Sequence, residues 1–319
     1  MEQANPNPNS TTNDDNYKDF DINSKNPLQL KYHNGWISCA TVLNNGRFAT
    51  GSEDKSIIIY NNKTYKPDLT IKEHNGDIIS LIQLSSGVLC SASNDKTIKL
   101  YNIDGNNYNV LQTLSDHILP ITKITELSNQ KLAACSVDQS IIFYSKNNNE
   151  YTKDFNIKTN GGNDNVVQTK DNEICYYEGQ KSTLCFFDLQ EKKNVAQLNN
   201  ISITTYGYDS LAMMSKELLL VAGCDKLTII NTNSYSIVRT IEVKGAGNIY
   251  TLCLLTDNIV LTGDYKASII QWKIEGDNLT LVSKRNKAHT NKNAIKVIKK
   301  IGNGLIMSGD GSGEVKVWI

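Results

Sequence analysis

Four histidines, His33, His74, His117 and His289, are the only imidazoles in the chain. The first three each stand 21 residues before an aspartate, at Asp54, Asp95 and Asp138. An imidazole beside a carboxylate is the acid–base half of a hydrolytic triad, and the same residue types bind zinc. Repetition argues against both. A catalytic pair is needed once, whereas this pair recurs three times at constant spacing. Residues from separate repeats have no reason to converge on one ion. No catalytic residue, metal ligand or cofactor is therefore expected.

Other candidate motifs read as structure. Gly309-Asp310-Gly311-Ser312-Gly313 is similar to a phosphate-cradling loop, but such a loop leads into a helix. Here Val315-Lys316-Val317-Trp318 follows, a strand-like run, so the glycines mark a hairpin turn. Asp310 and Glu314 lie too close together for a twelve-residue calcium loop. The seven cysteines, at 39, 90, 135, 175, 185, 224 and 253, are odd in number and contain no Cys-x-x-Cys. They predict small buried thiols in a reducing compartment, the cytoplasm or the nucleus.

Positioning these residues requires a repeating frame. Ser52-Glu53-Asp54-Lys55-Ser56-Ile57-Ile58-Ile59-Tyr60 recurs as Ser93 to Tyr101 and as Ser136 to Tyr144. Weaker copies end at Phe187, Ile230, Trp272 and Trp318, with end-to-end spacings of 41, 43, 43, 43, 42 and 46. Each unit is rich in Ile, Val, Leu, Thr and Tyr and is punctuated by turn residues. In the second unit, Asp77 to Leu84, Gly87 to Ser93, Thr97 to Tyr101 and Val110 to Leu114 read as strands. Four strands per unit of about 42 residues is the period of a propeller blade.

The three in-phase His–Asp pairs, each completed by Tyr60, Tyr101 or Tyr144 after 27 residues, resemble the WD-repeat β-propeller family over roughly residues 27 to 319. The resemblance implies an all-β fold of seven four-stranded antiparallel blades. It also implies a buried hydrogen-bond chain in each regular blade: His33–Asp54–Tyr60, His74–Asp95–Tyr101 and His117–Asp138–Tyr144. A Ser or Thr on the second strand would link each chain: Thr50 or Ser52, Ser91 or Ser93, and Ser136. The pattern is not uniform. Blade four has Asn160 and Lys181 at the His and Asp phases, and blade six has Gly245 and Lys266. In blade seven Ser312 falls at the Asp phase. The chain stops at Ile319 without a fourth strand for the last blade, so Pro27 to Tyr32 should close the ring.

Composition limits the functions available. Lys+Arg and Asp+Glu both total 33, giving a net charge of zero, and Arg occurs only at 47, 239 and 285. Nothing points to a broad nucleic-acid surface or a phosphodegron-reading arginine cluster. The longest apolar run, Leu218 to Cys224, is far short of the ~20 residues of a membrane span. Residues 1–26, rich in Asn, Asp and Pro, read as a disordered tail ahead of a propeller at 27–319.

A propeller without a catalytic constellation is expected to be a non-enzymatic protein-interaction scaffold within a complex. It would bind peptides or protein domains, with no nucleic acid, membrane insertion or small-molecule substrate. A substrate receptor of a cullin-type ubiquitin ligase is the alternative. Five residues after each regular His, a first-strand side chain should reach the rim of the partner face: Ser38, Ile79 and Thr122. Counting back from the third-strand ends adds Tyr250 and Lys296, and the loops add Trp36 and Tyr265.

Overall fold

Ile57-Ile58-Ile59-Tyr60 is a run of aliphatic and aromatic side chains, and all four residues are buried. The preceding strand, Phe48–Ser52, and its counterparts Leu89–Ser93 and Leu132–Ser136 are buried along their whole length. A short strand covered on both faces must lie inside a sheet that is itself packed between neighbours. In the computed structural model, which describes residues 17, 20–148, 150–161, 165–203, 209–289, 293–302 and 304–319, the packing follows this logic. The described residues form seven four-stranded antiparallel sheets. Blade one comprises Ile37–Val42, Phe48–Ser52, Ile57–Tyr60 and Pro67–Ile71. Blades two to six begin at Ile78, Ile121, Val166, Leu211 and Ile249. The core lies between blades. For example, Cys39, Ala49, Ile57 and Ile59 of blade one pack against Ile78, Leu81, Leu89 and Tyr101 of blade two.

Ring closure follows the expected scheme. Pro27–Leu30 pairs antiparallel with Val315–Trp318, from Pro27 opposite Trp318 to Leu30 opposite Val315. The closing strand is two residues shorter than the span read from the sequence. It supplies the fourth strand of blade seven and satisfies backbone groups that would otherwise form an open edge.

The expectation of a solvated tail through residue 26 does not hold for Tyr17, Phe20 and Ile22; residues 1–16, 18 and 19 lie outside the described residues. Tyr17, Phe20 and Ile22 are buried against Leu255, Leu261, Ile298, Ile306 and Trp318 at the junction of blades six and seven. The Tyr17 hydroxyl donates to the Leu305 carbonyl at 2.8 Å. The Gln271 amide clasps the segment, donating to the Phe20 carbonyl at 2.6 Å and accepting from the Ile22 N–H at 3.1 Å. Composition masked this strap because its three apolar anchors are scattered among polar residues.

Candidate partner-binding face

The His–Asp pairs hold the turns that build one rim of the ring. His33 Nδ1 lies 2.8 Å from Asp54 Oδ2, and His74 and His117 make the same contact with Asp95 and Asp138 at 2.7 and 2.8 Å. The other carboxylate oxygen accepts the N–H of Ser56, Thr97 or Ser140, each at 3.0 Å. This fixes a turn whose next residue is left-handed: Lys55, Lys96 and Gln139 have φ of 68°, 74° and 63°. Burial alone would raise the Asp54 and Asp95 carboxyls. The hydrogen bonds from His33 and Ser56, and from His74 and Thr97, instead hold both below their ordinary range.

The chains differ on the far side of the imidazole. Thr50 and Ser91 are the linking hydroxyls, 2.8 and 2.7 Å from Nε2 of His33 and His74. They reach Tyr60 and Tyr101 at 3.4 and 3.3 Å. Ser52, Ser93 and Ser136 have another task, accepting the N–H of Asp54, Asp95 and Asp138. In blade three, Ala134 occupies the linking position, and His117 Nε2 faces its carbonyl at 3.2 Å. The expected chain His117–Asp138–Tyr144 therefore stops at the imidazole. A Cβ on Gly35 or Gly76 would lie 2.6 Å from the N of Asp54 or Asp95, so the turn closes over His-Asn-Gly. Blade three has His117-Ile118-Leu119 instead.

Blade seven corrects the sequence reading. Ser312 does not take the aspartate's place. His289 Nδ1 lies 3.0 Å from Glu314 and 3.4 Å from Asp310, and Ser312 Oγ donates to Asp310 at 2.8 Å. Asp310 and Glu314 stand two residues to either side of the Asp phase, at the positions of Ser52 and Ser56 in blade one, which hid this arrangement. The chain continues from His289 Nε2 to Ser308 at 2.8 Å, and Trp318 Nε1 donates to Ser308 at 2.8 Å. Lys316 Nζ stands 3.7 Å from Glu314, so this carboxylate already has a cation. In blade six, Asp264 rather than Lys266 holds the turn, accepting the N–H of Lys266 and Ser268 at 2.9 and 2.8 Å.

Ser38, Ile79, Thr122, Tyr250 and Lys296 share one unforeseen feature: each is the extra residue of a first-strand bulge. A bulge re-aims its side chain, and the five outcomes differ. Ile79, Thr122 and Tyr250 are half-buried. Ser38 and Lys296 are buried and do not serve as exposed rim contacts, contrary to expectation. Ser38 is too short to clear its neighbours. The Lys296 ammonium folds back to 3.9 Å from the Trp36 ring centre and 4.0 Å from Glu53. Burial pushes it down to about 8 against the pull of Glu53.

Trp36 is 46% exposed and Tyr265 is 60% exposed. Backbone pairing places both on the same rim: Glu53 N–H donates to Trp36 O, Val137 N–H to Pro120 O, and Tyr265 N–H to Asn248 O. That equivalence reveals three contact candidates that the sequence reading missed, Ile118, Leu119 and Val137, and Ile118 is 73% exposed. Their signal was an apolar Ile-Leu where the other regular blades have Asn-Gly.

The central channel is crossed by charge. Asp209 accepts from Lys123 Nζ at 2.5 Å and from Lys299 Nζ at 2.9 Å, tying blades three and seven together through blade five. Burial would raise the Asp209 carboxyl, but the two ammonium groups hold it low. Cavities of about 320 and 180 Å³ lie along the channel. With both oxygens engaged, the carboxylate acts as a staple.

Residues 25–61 and 65–102 match the family model described as the WD domain, G-beta repeat. They cover the closing strand, blade one and blade two as far as its third strand, and these are the blades whose His–hydroxyl–Tyr chains are complete on consecutive repeats. No curated protein matches the chain.

Proposed function

We propose that this chain, a WD-repeat β-propeller, is a non-enzymatic scaffold that binds peptides or protein domains on the rim carrying Trp36 and Tyr265. WD-repeat propellers generally mediate protein–protein interaction and are typically non-enzymatic. The observation that carries the placement is the set of exposed apolar side chains on one rim: Trp36, Ile118, Leu119, Val137 and Tyr265. Large apolar and aromatic groups fixed on rigid turns lose little entropy on binding, which suits them to anchor an interface. The half-buried Ile79 and Tyr250 would extend that surface inward. The channel staple and the buried imidazoles support a structural rather than a chemical role for the polar groups. All seven cysteines are unpaired thiols, which supports a cytoplasmic or nuclear setting.

The test is affinity capture with the full-length chain and a triple variant, Trp36→Ala, Ile118→Ser and Tyr265→Ala. Partners recovered by the parent chain should be lost with the variant, while the melting temperature stays within a few degrees. Retention of the same partner set at the same yield would place the interface elsewhere.

A further inference from the structure

Trp36, Asp77 and Pro120 occupy one position in three successive blades. Each stands directly before a first strand. The carbonyl of each accepts the N–H of the residue that follows the second strand of its blade: Glu53, Asn94 or Val137. The first-strand bulge residues one blade back are Lys296, Ser38 and Ile79. Paired by position, the two sets match in chemistry. An aromatic ring goes with a long cation, a carboxylate with a hydroxyl, and an apolar ring with an aliphatic chain.

At the seam of blades seven and one the contact is close. Lys296 is 6% exposed, and its ammonium lies 3.9 Å from the Trp36 ring centre and 4.0 Å from Glu53 Oε1. The negative face of an aromatic ring attracts a cation, and more strongly where water is excluded. The ring also rests on a turn of blade seven, where a Cβ on Gly311 would lie 3.3 Å from Trp36 Cε2 and 3.4 Å from Cδ2. The indole thus leaves blade one and lies across blade seven. An indole nearly half exposed has fewer neighbours to choose its rotamer than a core one, which gives weight to the ammonium against it.

On the premise that this rim is the binding face, we propose that Lys296 is its positioning residue: the ammonium, set between the Trp36 ring and Glu53, holds the indole in the orientation a partner meets, and loss of that charge frees the ring. The charge is one that can be lost near neutrality. Burial lowers the Lys296 ammonium to about 8, against the pull of Glu53. Burial raises the Glu53 carboxyl; Lys296 opposes that rise and Asp77 of blade two adds to it. The other titratable groups on the strands around Lys296 have their own surroundings. Asp310 faces His289, Asp264 holds its turn, Cys39 and Cys253 lie near Lys299, and Tyr250 fills the same bulge in blade six. On its own strand, Lys299 pairs with Asp209 and Lys300 donates to the Leu255 carbonyl.

The free chain reports on this through its own fluorescence, because Trp272 and Trp318 are buried and Trp36 is exposed. Emission of a Trp36→Phe chain is subtracted and the remainder is quenched with acrylamide. From about pH 6.5 to about pH 9.5, quenching should rise at least about 1.5-fold, with a midpoint near 8. Lys296→Met keeps the length without the charge and should be quenched like the alkaline parent at every pH. Lys296→Arg should restore protection without the transition. Glu53→Gln removes the charge that favours the ammonium and should move the midpoint lower. Stability should run the other way. Folded Lys296 binds fewer protons than unfolded Lys296 between its lowered value and its ordinary 10.5, so the parent gains stability on Lys296→Met as pH rises through that window. A purely structural role would not loosen the ring while stability rises. Should the Lys296 variants fail to fold, the titrations of the parent and of Glu53→Gln decide. Quenching that is flat with pH, still titrates in Lys296→Met, or keeps its midpoint in Glu53→Gln overturns the proposal and leaves the binding face untouched. In affinity capture, partners lost with Trp36→Ala should fall at least about fivefold with Lys296→Met and return with Lys296→Arg. Their retention by Lys296→Met overturns the positioning role, whereas no loss with Trp36→Ala refutes the face itself and the proposal with it.

Discussion

Replacing Asp95 by Ala should destabilise the ring far more than its half-buried position in a turn suggests. One carboxylate oxygen accepts from His74 Nδ1 at 2.7 Å and from Asn75 N–H at 2.9 Å; the other accepts from Thr97 N–H at 3.0 Å and Thr97 Oγ1 at 2.6 Å. The bond to buried His74 is a hydrogen bond to a charged group, worth about 1.5–3 kcal/mol. Water can replace much of the contribution from the Asn75 and Thr97 groups, which lie nearer the surface, so the total loss should be ~2–4 kcal/mol. With a urea slope of ~3 kcal/mol/M, the midpoint should fall by about 1 M. Asp104→Ala, at an exposed aspartate of the same blade, is the control and should move it little. The Asp95 carboxyl is held below its ordinary value of 3.8, because the bonds from His74 and Thr97 outweigh burial. Its stabilisation is therefore complete above that value and is lost as pH falls through the lower, folded-state value. The gap between parent and Asp95→Ala should narrow on going from about pH 5 to about pH 2. A midpoint unmoved relative to Asp104→Ala at neutral pH would refute the buried-chain reasoning.

Phe20→Ala and Ile22→Ala each remove a buried side chain from the strap and should cost about 2–5 kcal/mol, read as a lower thermal midpoint. Deleting residues 1–32 should cause aggregation, read by light scattering, because the Val315–Trp318 edge is then unpaired. Deleting only 1–26 should lower stability while leaving a soluble ring, and equal aggregation of the two deletions would contradict the closure scheme. Cys224 is exposed and the other six thiols are buried, with burial raising Cys39 to about 12 and Cys185 and Cys253 to about 11. A colourimetric thiol reagent should therefore titrate one group in the native chain and all seven in denaturant.

The fold was legible because three blades repeat the same chemistry at the same phase, so His33, His74 and His117 located their own aspartates. Blade seven was less legible because Asp310 and Glu314, two residues to either side of the Asp phase at Ser312, took over the imidazole. Phase also found five first-strand bulges, Ser38, Ile79, Thr122, Tyr250 and Lys296, without showing that they were bulges. It could not give their burial, which depends on side-chain length and on neighbours such as Trp36 that come from another blade. The strap was missed because Tyr17, Phe20 and Ile22 meet their partners only after the chain has gone round the ring.

Closure also sets a timetable. Pro27 is made before any of the seven blades, yet its partner Trp318 lies in the third strand of the last one. Blade one can form its hairpins early from nearby sequence. Blade seven can be completed only after Val315–Trp318 has been made, by a contact that spans all seven blades. Until then the growing protein is an open arc, with its newest blade edge exposed and the pocket for Tyr17, Phe20 and Ile22 unbuilt. Such long-range pairing is slow and leaves the unfinished arc prone to aggregation. A stop codon just ahead of Val315 should therefore be more damaging than the few missing side chains imply, because it removes the strand on which the ring closes.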